Sequence, residues 1–181
     1  MNAIINRRVA RVGAILSDAG AEKQALLSQF AALRRSEGFC VGGVVEFVDP
    51  DCATPCGGLY ALDLFDGARI RISQDLGPGS TACNLDPGGV ALACAAAQRA
   101  VEAGADVLIL TKFGKLEADH QGLGDAFAAA IAAEIPVLTT LKPVMRAEWR
   151  LFAGELSDEL PPDAAAIESW WRGLARGSVA A

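Results

Sequence analysis

The chain is short of the side chains that most often do chemistry. Among its 181 residues there is one histidine and one tyrosine. The single imidazole, His120, excludes a metal centre built on several histidines. No apolar run reaches the roughly 18 residues that a membrane-spanning helix needs, so no membrane partner is expected. Basic residues are outnumbered, 16 against 22 acidic ones, for a formal net charge of −6. Nucleic acid and anionic membrane surfaces are thereby excluded as partners, because either demands a broad basic face. Any anion has to be met locally. The opening "MNAIINRRVARVGAIL" breaks its apolar residues with arginines and lacks the apolar core of roughly 7 to 15 residues that marks a secretory leader, which points to the cytoplasm. Five cysteines, an odd number without a leader, suit reduced thiols better than a disulfide framework.

Apolar material is plentiful. At 52% hydrophobic residues the chain can bury one substantial core, and its length favours one domain over residues 1–181. "VARVGAIL" (Val9 to Leu16) reads as a strand, and "ALLSQFAALRRSEG" as a helix starting near Gln24, with Leu26, Leu27, Phe30 and Leu33 at helical spacing and Gly38 as a left-handed cap. "FCVGGVVEF" is a second strand, joined to the first by a right-handed, parallel crossover. "GLYALDLF" and "ARIRISQ" form a hairpin with a two-residue turn at Asp66-Gly67, Ile70 and Ile72 alternating with Arg69 and Arg71. Asp86 as N-cap and Pro87 behind it open an alanine-rich helix that stops near Gly104. "DVLIL" is a central parallel strand. A helix over 123–134, the buried strand "IPVLTTL", the segment "KPVMRAEWRLF" and a last helix over 162–176 complete the chain, with "ELSDELPPD" as a plain connection. This alternation implies a three-layer α/β/α sandwich, its sheet mostly parallel with an antiparallel β-hairpin inserted.

Lysine is scarce in an informative way. Only Lys23, Lys112, Lys115 and Lys142 occur, against twelve arginines spread along the chain. All four lysines fall in the segments that follow the first strand, "DVLIL" and "PVLTT". Ligands of open parallel sheets bind beyond the carboxyl ends of the strands, so these segments should converge and their compact cations face one anion. The plainer reading is four solvated surface lysines. The first of these loops, Ser17-Asp18-Ala19-Gly20-Ala21-Glu22-Lys23-Gln24, can be laid on the phosphate-cradling pattern G-x-x-x-x-G-K-[ST]. There the glycines let amides turn inward, the lysine reaches the outer phosphates and the hydroxyl holds magnesium. Lys23 is in place. Ser17 and Glu22 replace the glycines, Gln24 replaces the hydroxyl, and an ordinary strand-to-helix loop fits the same residues.

The order of these elements, together with "VGGVVEF" and "VLILTKFGKLE", resembles the THEP-type nucleoside-triphosphatases, P-loop proteins whose corresponding strand runs into an acidic D-E-I-G-K-M-E-like motif. Gly114, Lys115 and Glu117 match that motif. Thr111 and Lys112 stand where the magnesium-binding aspartate and the catalytic glutamate would be. "GSTACNLDPGG", "LILTKFGKLEA" and "EWRLFAG" look like a bacterial family of unknown function, often encoded beside molybdate-transport genes, over nearly the whole chain. The resemblance implies a P-loop NTPase-like fold with a degenerate phosphate loop, set in molybdenum metabolism. With the groups that hold magnesium and orient water replaced, hydrolysis is not expected. The expectation is an accessory protein without a cofactor that binds a small anion, an oxyanion such as molybdate or the phosphate of a nucleotide. Its binding residues would be Ser17, Gly20, Lys23, Gln24, Thr111, Lys112, Gly114, Lys115, Glu117 and Lys142. Two alternatives stay open: a nucleoside-triphosphatase or phosphotransferase with unorthodox residues, and a partner-binding structural module.

Secondary candidates are Asp75, Ser80 and Thr81 in "QDLGPGST", which could add donors through a backbone nest, and His120 just after the lysine segment. Cys52, Cys56 and Cys83 are weak metal candidates. Three loop thiols without a fourth ligand are better read as free. Cys40 and Cys94 sit among apolar residues and are expected in the core. Trp149, Trp170 and Trp171 suit packing or a subunit contact better than base stacking, which leaves a homo-oligomer or a protein partner open at that end.

Overall fold

The computed structural model describes residues 12–50, 58–74 and 84–177. Its elements run β1 (Val12–Leu16), α1 (Gly20–Ser36), β2 (Val41–Val48), β3 (Leu59–Asp63), β4 (Arg69–Arg71), β5 (Ser73–Gln74) and β6 (Asn84–Leu85). Then come α2 (Pro87–Glu102), β7 (Val107–Phe113), α3 (Lys115–Ala118), α4 (Gly124–Ala132), β8 (Val137–Leu141), α5 (Arg146–Ala153), β9 (Ser157–Leu160) and α6 (Ala164–Gly177). Seven strands form one sheet in the order β4-β3-β2-β7-β8-β1-β9. From β2 to β9 every pairing is parallel, whereas β3 and β4 extend the sheet antiparallel at one edge.

Alternation along the strands explains the three layers. On β7, Leu108 and Leu110 face a core shared with α2, α4 and α5, while Val107 and Ile109 face one shared with α1 and α6. Each fully buried side chain of this kind contributes on the order of 2 kcal/mol relative to exposure. The two cores therefore grip the central strands from both sides and fix where their carboxyl ends emerge. The architecture is a P-loop-like three-layer α/β/α sandwich. Gly43, midway along β2, has φ +100°, and a Cβ there would overlap the Ile109 carbonyl of β7. Asp86 caps α2 by accepting from the Gly88 and Gly89 amides at 3.2 and 3.1 Å.

Several sequence expectations need correction. The helix expected near Gln24 starts at Gly20, which puts Lys23 and Gln24 in its first turns. The two-residue turn at Asp66-Gly67 is a wider loop over 64–67, closed by the Asp63 amide on the Ala68 carbonyl (2.8 Å) and braced by the Asp63 carboxylate on the Phe65 amide. β1 and β2 are parallel as expected, with β7 and β8 between them. "SDEL" within the supposed connection is β9, parallel to β1 at the sheet edge. Cys40 is exposed, whereas Cys94 is buried. Val9 to Arg11, assigned to the first strand, lie outside the described residues.

The tryptophans pack within the chain. Trp149 is buried and donates to the Ser157 hydroxyl at 2.8 Å, Trp170 lies against Gly13, and Trp171 meets Phe30 and Phe39 edge-on at 5.7 and 5.3 Å. Arg34 is buried beside Phe30 and Trp171 and pairs with Glu168 at 2.7 Å, joining α1 to α6.

Candidate functional site

β7, β8 and β1 are adjacent and parallel, so the segments after them emerge on one side and meet. They enclose a cavity of about 840 Å³ lined by Gly20, Lys23 and Gln24 of α1, by Lys112, Gly114 and Lys115 at the end of β7, and by Thr140 and Lys142 at the end of β8. Glu46 and Phe47 of β2, with Val144 and Met145, complete the wall. All four lysines of the chain line this one cavity.

Their surroundings differ. Lys23 is only 4% exposed, and its ammonium donates to the Ser17 carbonyl. Burial, and next the repulsion of Lys142, holds its pKa below the ordinary lysine range; Asp18 opposes the shift and Lys112 adds to it. Lys112 is half-exposed and pairs with Glu46 at 2.8 Å. The parallel register that sets Val44 beside Leu110, carried two residues on, brings Glu46 level with Lys112. Between Leu110 and Phe113, β7 also carries one more residue than β8 opposite it. Such a bulge re-aims side chains, here at Thr111 and Lys112. Lys115 and Lys142 are exposed, and neither forms an ion pair among the described residues.

Beneath the lysines the polar groups are closed on one another. Gln24 Nε2 donates to the Thr111 carbonyl (3.0 Å), and Gln24 Oε1 accepts from Thr111 Oγ1 and from the Glu46 amide, each at 3.1 Å. Thr140 Oγ1 donates to the same Thr111 carbonyl at 2.8 Å. These are the two positions, Gln24 and Thr111, at which the resemblance to magnesium-dependent enzymes would look for metal ligands. Glu117 is 5% exposed; its two oxygens accept from the Gly114 amide (2.9 Å) and the Leu123 amide (3.0 Å), so it braces the turn after β7. Gly122, at φ +60°, leaves room that a Cβ would take from that carboxylate.

Other candidates fall elsewhere. Ser17 accepts from the Ala19 amide through its hydroxyl at 3.1 Å, closing the three residues between β1 and α1 on themselves. His120 is exposed, with its ring 6.4 Å from Phe152, and lines neither this cavity nor the smaller one beside it. Asp75, Ser80, Thr81, Cys52, Cys56 and Cys83 lie outside the described residues. No group of three or more His, Cys, Asp or Glu side chains among the described residues could hold a metal ion. No helix among the described residues is long and apolar enough to cross a membrane. Sequence reasoning misses Glu46 and Phe47. An isolated acid inside the apolar run "VVEFV" is the signal that could have found the first. Phe47 stacks on Tyr60 at 5.6 Å, and the Arg69 guanidinium lies over Phe47 at 4.8 Å and Tyr60 at 5.5 Å.

Residues 12–170 match the model of a family described as protein of unknown function, DUF2478. The chain belongs to that family. It is also similar to the molybdenum import ATP-binding protein ModC 2 of Bradyrhizobium diazoefficiens, 38% identical over 162 residues, which are 90% of this chain and 18% of that protein. This DUF2478 chain thus spans less than a fifth of that relative's length, and the import and ATP-binding roles in its name belong to the larger protein. No solved structure matches the chain.

Proposed function

We propose that the protein binds a small anion in the lysine-lined cavity and does not hydrolyse a nucleotide there. The observation that carries the reading is the meeting of every lysine in a net-acidic chain around one cavity, at the strand ends where parallel sheets hold ligands. The N-terminus of α1 lacks a side-chain cap, and its partial positive charge adds to that of the lysines. In this reading Ser17 to Gln24 is a degenerate phosphate loop. Only three residues precede the helix, too few for the run of inward amides that wraps a polyphosphate. Metal-assisted phosphoryl transfer needs ligands for magnesium and a group to orient water, whereas Gln24 and Thr111 engage each other. The relative named for molybdenum import supports an oxyanion such as molybdate and a cytoplasmic role in molybdenum metabolism. The nucleotide alternative retains Lys23, at the start of a helix that follows a strand, in its favour.

Thermal-shift measurements with molybdate, tungstate, sulfate, phosphate, ATP and GTP, each with and without magnesium, test the reading. An oxyanion at 100 times its dissociation constant should stabilise by about 2.7 kcal/mol without magnesium. Magnesium-dependent phosphate release from ATP or GTP at about 1 per second or faster, abolished by Lys23→Ala, would replace this reading with the enzyme.

A further inference from the structure

Next to the lysine-lined cavity is a second space of about 210 Å³, walled by Val44 of β2, Ala61 of β3, Ile72, Ala93 of α2 and Leu123. All five are at most 5% exposed. Glu46, Lys112, Gly114 and Lys115 line both spaces, so the two share a wall that carries two of the lysines. Protein interiors rarely keep voids larger than a water molecule, and water in an apolar void finds too few partners. This void is held open by short side chains, Ala61 and Ala93, at positions where a longer aliphatic residue would fill it.

Away from the lysines, the polar side chains of the described residues that line it, Thr111 and Glu117, are already engaged. Thr111 Oγ1 bonds to Gln24, and the two Glu117 oxygens hold the Gly114 and Leu123 amides. A nucleobase edge or a sugar hydroxyl entering the slot would therefore lose its hydrogen bonds to water without replacement, at a penalty that apolar groups do not incur. We infer that the anion bound by this protein carries a small apolar group, of the size of a phenyl ring or a short branched alkyl chain, which enters the slot while its charged head meets the lysines. The ligand class is an amphipathic organic phosphate, bound more tightly than a bare oxyanion or a nucleotide. This rests on the anion-binding reading and narrows it, with apolar transfer into the slot supplying the discrimination.

Titration calorimetry with phenyl phosphate and with inorganic phosphate, on the full chain, tests it. The parent should bind phenyl phosphate at least about tenfold more tightly than inorganic phosphate. Ala93→Leu, which fills the slot, should bring the two affinities within about twofold of each other while leaving that for inorganic phosphate unchanged. Ala61→Val fills it from the opposite wall with a smaller change in volume, and should behave likewise if the leucine variant fails to fold. Equal affinities in the parent, or a preference for phenyl phosphate that survives filling, would overturn the slot and leave the lysine site standing. Binding of neither compound would overturn the slot, and no binding of molybdate either would overturn the anion site with it.

Discussion

In the floor shared by the cavity and the smaller slot, Gln24, Thr111 and Thr140 bond to one another while Glu117 holds two backbone amides; at the rim, Lys115 and Lys142 reach toward solvent, and the buried Lys23 behind them is held below its ordinary pKa. Both regions are built from the same strand ends. The difference assigns them different work. A group on the floor has buried partners that its removal would orphan, so the floor sets stability. Removing Lys115 or Lys142 leaves no buried partner behind, so the rim sets affinity for an anion. Lys112 lies between the two, tied by Glu46 but still lining the cavity.

The largest effect should come from Glu117→Ala. The buried Leu123 amide and the part-buried Gly114 amide lose their acceptor, and at about 1–3 kcal/mol for each unsatisfied group the stability should fall by on the order of 3 kcal/mol in urea unfolding. A drop below about 1 kcal/mol would mean that water replaces the carboxylate and that the floor is not closed. Gln24→Ala should follow, with a loss of about 2 kcal/mol, because the Glu46 amide and the Thr111 groups lose a shared partner. Equilibrium dialysis should find no magnesium bound to the parent at this place. If magnesium binds and Gln24→Ala abolishes it, the floor is a metal site and the comparison fails.

A smaller effect, and a sharper one, concerns Lys112→Thr. Removing one of four like charges suggests a gain in stability for the empty protein. The Glu46 pair reverses that expectation, because a carboxylate only 14% exposed is left without its cation. Lys112 itself is 44% exposed, so the loss should stay under about 1 kcal/mol. A gain would show that repulsion among the lysines outweighs the pair.

The gentlest probe is pH. Lys23 has a folded pKa below the value of about 10.4 that it takes in the unfolded chain. Between those two values the unfolded state binds more protons, so the stability of the empty protein should rise with pH across the window. Anion affinity should fall across the same window as Lys23 loses its charge. Lys23→Met should flatten both slopes; equal slopes in parent and variant would place the titration on another group.

Much of the scaffold is legible in the sequence because its signals are local. "DVLIL" is apolar on both faces and becomes the central strand, and Asp86-Pro87 starts α2 as capping chemistry requires. β9 is not legible, since "SDEL" carries only one buried side chain and an edge strand needs no apolar alternation. The true start of α1 is hidden by the phosphate-loop pattern, which Ser17 to Gln24 matches only at Lys23 while folding as a short turn and a helix. The meeting of the lysines follows from their scarcity and the rule for parallel sheets. The neutralisation of one of them does not, because the Lys112–Glu46 pair depends on a strand register and a bulge that no local pattern encodes.

The account stands most directly on titration calorimetry of the parent and Lys142→Ala with phosphate and molybdate in magnesium-free buffer. Lys142 is exposed, unpaired among the described residues, and after burial the largest cause of the lowered Lys23 pKa. The predicted result is saturable binding of one anion per chain, unchanged by added magnesium and weakened by about 1.5 kcal/mol in the variant, with the melting temperature of the empty protein equal or higher. Equal binding by parent and variant, or binding that appears only when magnesium is present, would contradict it.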